Sequence, residues 1–314
     1  MRWLLVLILC FVSCTSSPPQ THLNAWMEKN GKVKVLSTTA MIDDLVGQIG
    51  QEKVDHLPLI TGEVDPHSYE LVKGDDEKIS CASLIVFNVL GLEHGSSLKY
   101  QLQRHPKAVA VGDFIVQNHP ERVIRVDGQL DPHIWLDISL WTQAVDPIVE
   151  ALSELDPENA AFYHNNGQVL KEKMGAVDED IRTELQSLPA NRRYLVTSHD
   201  AFNYFTRRYL AEPGEENWQP RFAAPEGLAP DGQLSTADIQ EVIDHLVAYQ
   251  ITTVFPESNI SKDSLRKIVS CCAEGGLIVK VSQEVLYGDA MGSLTYLGMM
   301  QHNAQVLFKE LSAE

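Results

Sequence analysis

Residues 160–188 restrict the folds open to this chain more than any other stretch. Apolar side chains at Phe162, Val169, Leu170, Met174, Val177, Ile181, Leu185 and Leu188 recur every three or four positions with one gap, and Pro157 and Pro189 bracket them. Proline is accepted in a first helical turn and excluded from a helix interior. The spacing therefore predicts one helix of about 30 residues, roughly 40–45 Å long at 1.5 Å per residue. Gly167 and Gly175 leave room for a break, and an ordinary core helix is the alternative. We read it as a rigid spine joining two lobes, with charges along its outer face.

Short β-branched runs alternate with amphipathic segments on both sides of this spine. KVKVLST, VDHLPLI, ASLIVFNVL and AVAVG read as strands before it, with MIDDLVGQIG, SYELVKGDDEKI and SSLKYQLQRH as the helices between. After it, RYLVTS, TTVFPES and GLIVKVS read as strands, and AFNYFTRRYL, TADIQEVIDHLVAYQ, SLRKIVSCCAE and LTYLGMMQHNAQVLFKEL as helices. Such alternation implies parallel sheets, whose ligands bind beyond the carboxyl ends of the strands. The expected class is α/β: two (β/α) lobes with parallel sheets, residues 32–156 and 190–314, joined by one long rigid helix within residues 157–189. The Pro- and Gly-rich stretch of residues 211–232 reads as a long surface loop.

MRWLLVLILCFVSC at the start carries one charge, Arg2, and then an apolar run from Trp3 to Val12. That run is too short to cross a hydrocarbon core of roughly 30 Å and reads as an export signal, residues 1–14. Ser13 and Cys14 resemble a lipobox, with Phe11 where leucine is usual, so we expect lipidation at Cys14; cleavage near Ser13 to Ser17 without lipid is the other outcome. Residues 15–31 then form a polar tether. The formal net charge is −18, and losing residues 1–14 removes only Arg2 and makes the remainder one unit more negative. Such a surface repels nucleic acid and anionic lipid headgroups, which argues against both as partners. Cys81, Cys271 and Cys272 show no paired spacing, so neither a disulfide framework nor a thiolate metal site is indicated, although a bridge from Cys81 to the vicinal pair stays open.

A metal site here must therefore use imidazole and carboxylate. DPHSY (Asp65 to Tyr69) and DPHIW (Asp131 to Trp135) are near copies of each other. Asp and Pro suit a helix start, as N-cap and first helical residue, whereas nothing about a helix start calls for His67 or His133. His199 ends the strand YLVTS, so all three should lie at strand-to-helix junctions. His22, His105, His119, His164, His245 and His302 belong to polar loops or helix surfaces, and His56 to a strand. Asp289, in the loop YGDAMG, can supply the anionic ligand that three neutral imidazoles lack, leaving about +1 on a bound divalent ion. Such a nitrogen and oxygen set suits Zn²⁺, Mn²⁺ or Fe²⁺ rather than Ca²⁺ or Mg²⁺.

Together VDPHSY, DPHIWLD, TSHDAFNYF, FPESNIS, YGDAMG and LTYLGMM resemble the metal-binding extracytoplasmic receptors of ABC transporters, the cluster A-I or TroA-like family, over about residues 32–312. The resemblance implies two lobes on one long helix, with the metal held between them by His67 and His133 from the first lobe and His199 and Asp289 from the second. It implies a monomeric, non-enzymatic receptor at the outer face of the cytoplasmic membrane or in the periplasm, whose partners are a permease and, through it, a cytoplasmic ATPase. Some manganese-type relatives carry Glu at the His199 position, and zinc-specialised ones often carry a His-rich loop where QNHPERVIRVDGQL has only His119, so zinc, manganese and iron all stay open. Asp65, Asp131, Asp200 and Glu257 are candidates to orient the imidazoles. The alternatives are a metal-dependent hydrolase with Glu257 as general base, against which stand four protein ligands and no HExxH helix, and an adhesin or structural lipoprotein.

Overall fold

The computed structural model describes residue 23, residues 26–230 and residues 234–313. The expected leader, Cys14 and most of the tether lie outside the described residues. The first lobe opens with β1 (Val33–Ser37), α1 (Ala40–Gly50), β2 (Val54–Pro58), α2 (Asp75–Cys81), β3 (Leu84–Phe87), α3 (Ser96–Leu102) and β4 (Ala108–Ala110). All four strands are parallel in the order β2-β1-β3-β4. β1 is buried at four consecutive positions, as a parallel strand covered on both faces should be. One expectation needs correcting: the helix over SYELVKGDDEKI begins only at Asp75. The buried Asp75 carboxylate accepts hydrogen bonds from Tyr69 Oη (2.7 Å) and Val72 N (2.9 Å), which wraps residues 69–74 around it as a loop.

α4 (Val111–Asn118), the antiparallel hairpin β5 (Arg125–Val126) and β6 (Gln129–Leu130), α5 (Ile138–Trp141) and α6 (Val145–Leu155) follow. Neither α4 nor α6 has a counterpart in the alternation read from sequence, although α6 buries Val145, Ile148, Val149 and Leu152 at ordinary helical spacing. α7 (Ala160–Gln186) is the spine, 27 residues and about 40 Å long, entered through a 3₁₀ turn at Pro157–Asn159. Its buried face is Tyr163, Gly167, Leu170, Met174, Asp178, Ile181 and Leu185. Val169, expected on that face, is 57% exposed. Asp178 takes the place of an apolar residue because it is fully partnered, by Tyr209 Oη (2.8 Å) and both arms of Arg208.

The second lobe comprises β7 (Leu195–Val196), α8 (Asn203–Phe205) running into a π turn at Thr206–Leu210, β8 (Phe222–Ala223), α9 (Thr236–Tyr249), β9 (Thr253–Val254), α10 (Asp263–Glu274), β10 (Lys280–Val281) and α11 (Tyr296–Ser312). β7 pairs with β8 and β9 with β10, both parallel, and Phe255 N donates to Val196 O, laying β9 beside β7. Here the expected surface loop of residues 211–232 is corrected in part. Trp218, Arg221 and Phe222 are buried, and β8 adds a strand to the sheet. Arg221 tolerates burial because Glu215 Oε2 (2.6 Å) and Ala190 O (2.8 Å) accept its donors. Cys81, Cys271 and Cys272 are all free thiols.

One apolar core runs through both lobes and the spine, from Val35 and Leu45 past Met174 to Met300 and Leu307. A core shared in this way resists independent movement of the two lobes, since cores repack only between discrete arrangements.

Candidate metal centre

The two Asp-Pro-His segments are Asx turns and not helix starts, which corrects the capping expectation. Asp65 Oδ1 accepts the His67 backbone N–H at 2.8 Å, and Asp131 Oδ1 accepts that of His133 at 2.9 Å. Each carboxylate mimics a backbone turn two residues on, as Asp side chains readily do. No helix follows His67, and only a 3₁₀ turn, Ile134–Leu136, follows His133. In both cases the turn swings an imidazole inward, leaving His67 1% and His133 0% exposed.

The second lobe contributes from the carboxyl side of its strands. His199 follows β7 and pairs with Glu226 in an isolated parallel bridge. Glu257 follows β9, and Asp289 lies beyond β10. Glu257 Oε1 accepts the backbone N–H groups of Ser198 (3.0 Å) and His199 (2.9 Å), while its Oε2 lies 2.7 Å from His199 Nδ1. A Cβ built on Gly288 would lie 2.5 Å from Glu257 Oε2, so this approach requires glycine beside Asp289.

His67, His133, His199 and Asp289, all buried, bring one ligand atom each to within 4.8 Å of one another. Nε2 of His67 is 3.2 Å from Nε2 of His133. Asp289 Oδ1 is 3.3 Å from His133 Nε2, and its Oδ2 is 3.1 Å from His199 Nε2 and 3.6 Å from His67 Nε2. Metal–ligand bonds of 2.0–2.1 Å at tetrahedral angles place neighbouring ligand atoms about 3.3–3.4 Å apart, and the separations above, 3.1 to 3.6 Å, bracket that value with both Asp289 oxygens in use. Both oxygens of Asp289 and both ring nitrogens of His199 lack an aligned hydrogen-bond partner although fully buried. Polar atoms in that state cost free energy unless another partner takes their lone pairs. A transition-metal cation fits that need.

The charges around the four groups are uneven. Burial holds the His67 imidazole below its ordinary range, with Asp289 only partly offsetting it. Burial acts the same way on His133, but Asp131 and Asp289 outweigh it and push the group up to about 9. On His199 burial is likewise outweighed, by Glu257 and Asp289, and the group rises well above the usual histidine value. Burial opposes the ionised Asp289 carboxylate, yet the surrounding imidazoles hold it well below the usual carboxylate range. Metal entering this set displaces protons.

A protein-family model matches residues 35–310: ZnuA, described as zinc-uptake complex component A, periplasmic. The chain belongs to the ZnuA family. Metal-binding protein YtgA of Chlamydia pneumoniae is 38% identical over 99% of this chain and 94% of its own length. The manganese-binding lipoprotein MntA of Bacillus subtilis is 32% identical over 89% and 90%. Among solved structures, Fe(III)-bound YtgA from Chlamydia trachomatis superposes with a TM-score of 0.85 at 37% identity, covering 89% of this chain and 98% of that one. ZnuA-family membership and this superposition bear out the two-lobe α/β fold with parallel sheets and a long helix.

Of the four orienting candidates, two reach an imidazole. Asp131 Oδ1 is 2.7 Å from His133 Nδ1, and Glu257 lies against His199. Asp65 serves only its turn, accepting His67 N and Ser68 Oγ. Asp200 accepts from Asn203 Nδ2 at 2.7 Å, and burial together with Asp131 pushes its carboxyl up to about 7. His56 pairs with Asp43 at 2.9 Å, away from the site. Three further residues around the site are given no role by the sequence. Trp135 Nε1 donates to Gly288 O at 2.8 Å across the lobes; Asn203 Nδ2 donates to Asp131 Oδ2 at 3.0 Å; and His94, to which the sequence reading assigns nothing, stands 6.0 Å from His67, ring centre to ring centre. The identical spacing of Trp135 after His133 and Tyr69 after His67 was the only hint of the first.

Proposed function

We propose that this chain is an extracytoplasmic receptor that captures a divalent transition metal, zinc, manganese or iron, and delivers it to an ABC transporter permease for import. The metal is cargo, with His67, His133, His199 and Asp289 as its ligands. One observation carries the reading: four buried ligand atoms within 4.8 Å of one another, several without hydrogen-bond partners. Membership of a family described as a periplasmic zinc-uptake component agrees with it, as do a manganese-binding lipoprotein and an Fe(III)-bound structure among the relatives. Affinity alone does not choose the metal, because zinc binds most such sites tightly whatever is transported.

Splitting the ligands between lobes lets a small displacement lengthen every bond at once, so release needs no chemistry. The spine and the shared core limit that displacement to slight rocking. We further propose that residues 1–14 are an export signal, that Cys14 is lipidated ahead of a tether to residue 31, that residues 32–156 and 190–314 are the working lobes, and that the receptor acts as a monomer without enzymatic activity. Glu257 supports that last point, since it is engaged by Ser198, His199 and the His199 ring. Among the described residues no helix is long and apolar enough to cross a membrane, which agrees with attachment through lipid or permease.

Growth under metal limitation tests the reading. A strain lacking the protein should recover with the native gene or with excess metal, and should fail with a chain carrying His67→Ala and Asp289→Ala. Full recovery with that variant would sink the proposal.

A further inference from the structure

Hydrogen bonds divide the four ligands three and one. Asp131, which holds the His133 ring, is itself held by the stretch that follows His199: Asn203 Nδ2 donates to its Oδ2 at 3.0 Å, and Tyr204 Oη to its carbonyl at 3.2 Å. Two residues past His133, Trp135 Nε1 donates to the carbonyl of Gly288, next to Asp289, at 2.8 Å. Every residue from Asp131 to Leu136 is buried, as are His199, Gly288 and Asp289. His133, His199 and Asp289 are thereby knitted into one body, although the chain brings them from two lobes. Buried donors and acceptors paired in this way resist separation, because pulling them apart leaves each without a partner.

His67 stands outside that body. It rides on a loop, residues 61–68, in which Thr61, Gly62, Glu63, Val64 and Ser68 are exposed. The loop hangs between two fixed points of the first lobe. Ile60 N donates to Thr38 O at 3.0 Å before it, and after it the Glu70 carboxylate accepts the backbone N–H groups of Ser96 and Ser97 at 2.7 and 2.8 Å. Between those points the Asx turn closes on the loop itself, from His67 N and Ser68 Oγ to Asp65. Apart from the ligand contacts, one hydrogen bond among the described residues joins the loop to the second lobe: Ser258 Oγ donates to the Glu63 carboxylate at the surface. Segments with few buried contacts and an exposed backbone open at the lowest free energy. His67 is also the one member of the four that lines a cleft of about 400 Å³, whose walls include the exposed Asp127 and Gln129.

Coordination chemistry allows an uneven split, since zinc is stable with three protein ligands and a water in the fourth position. We propose that His67 is the exchanging ligand: the loop of residues 61–68 swings it away from a fixed cup of His133, His199 and Asp289, water takes its place, and Glu63 and Ser258 are the positioning residues that hold the loop shut. The inference rests on the receptor reading above and gives its release step a moving part smaller than a lobe. Metal then enters and leaves along the cleft that His67 lines.

Transfer of Zn²⁺ from the loaded, full-length receptor to an excess of colorimetric chelator tests this. Ser258→Ala and Glu63→Ala should each speed transfer about fivefold, the weight of one lost surface hydrogen bond, with the melting temperature of the chelator-stripped protein preserved. The discriminating measurement repeats both substitutions in His67→Ala, which should still bind Zn²⁺ through the cup. In that background neither should alter the transfer rate, because the loop no longer carries a ligand. Wild-type rates in both single variants overturn the proposal. Equal acceleration with and without His67 would make the lobes the moving part, and absence of Zn²⁺ binding in His67→Ala would remove the cup; either result overturns it as well. Failure of the unmodified protein to bind Zn²⁺, Mn²⁺ or Fe²⁺ would instead defeat the receptor reading itself.

Discussion

DPHSY and DPHIW share three residues and one Asx turn, yet they deliver their histidines in opposite electrostatic states. Asp131 is fully buried and uses one oxygen twice, on the backbone and on the Nδ1 of His133. Asp65 is only partly buried, and its second oxygen goes to Ser68 Oγ. His133 is consequently raised to about 9, whereas His67 is lowered. A repeated motif thus fixes where an imidazole points, while its basicity depends on what the rest of the fold places behind it. His133 is the imidazole anchored by a buried carboxylate. His67 has no such carboxylate behind its ring, and burial holds it low.

Removing either imidazole is the harshest way to break this contrast. His133→Ala should weaken Zn²⁺ binding at least about a hundredfold in a chelator-competition titration, because loss of even an orienting partner costs roughly 10–100-fold. His67→Ala should cost at least about tenfold. Unchanged affinity in both would remove the assignment. The carboxylates sharpen the comparison without altering shape: Asp131→Asn should lower affinity about 10–100-fold through loss of the charge behind His133, and Asp65→Asn, which keeps its turn, should stay within about twofold. Equal effects would show that the two turns differ only in appearance. Gly288→Ala places a Cβ against Glu257 and should cost about tenfold by displacing Asp289 or tilting His199.

Protonation gives the smallest and most specific effect. A histidine whose folded value lies above its unfolded one, near 6.5, adds stability that is complete below pH 6.5 and is lost as pH rises through the folded value. For His133 the window is about pH 6.5 to 9. Chelator-stripped protein should therefore lose melting temperature across that range, and Asp131→Asn should flatten the loss. Across the same window Zn²⁺ affinity should rise, since fewer protons must be displaced. An unchanged slope in the Asp131 variant would separate His133 from the pH dependence.

The four proposed ligands are legible in the sequence because each is a residue type that its local structure does not require. Imidazole after Asp-Pro and an acid in a short glycine-flanked loop are visible excesses. The spine is legible from period and proline alone, but the phase of its buried face is not: Asp178 occupies a core position, and its partners Arg208 and Tyr209 lie about 30 positions away. The turns at Asp65 and Asp131 look like helix caps because Asp serves both structures, and only the following backbone distinguishes them. β8 hides in a Pro- and Gly-rich stretch because two residues are too few to show a period.

X-ray absorption at the zinc edge, on receptor loaded with one equivalent of Zn²⁺, tests the central claim most directly. The geometry predicts a shell of three imidazole nitrogens at about 2.0–2.1 Å with carboxylate oxygen at about 2.0–2.2 Å, falling to two imidazoles in His67→Ala. A shell without imidazole, one containing sulfur, or an imidazole count untouched by that substitution would contradict it.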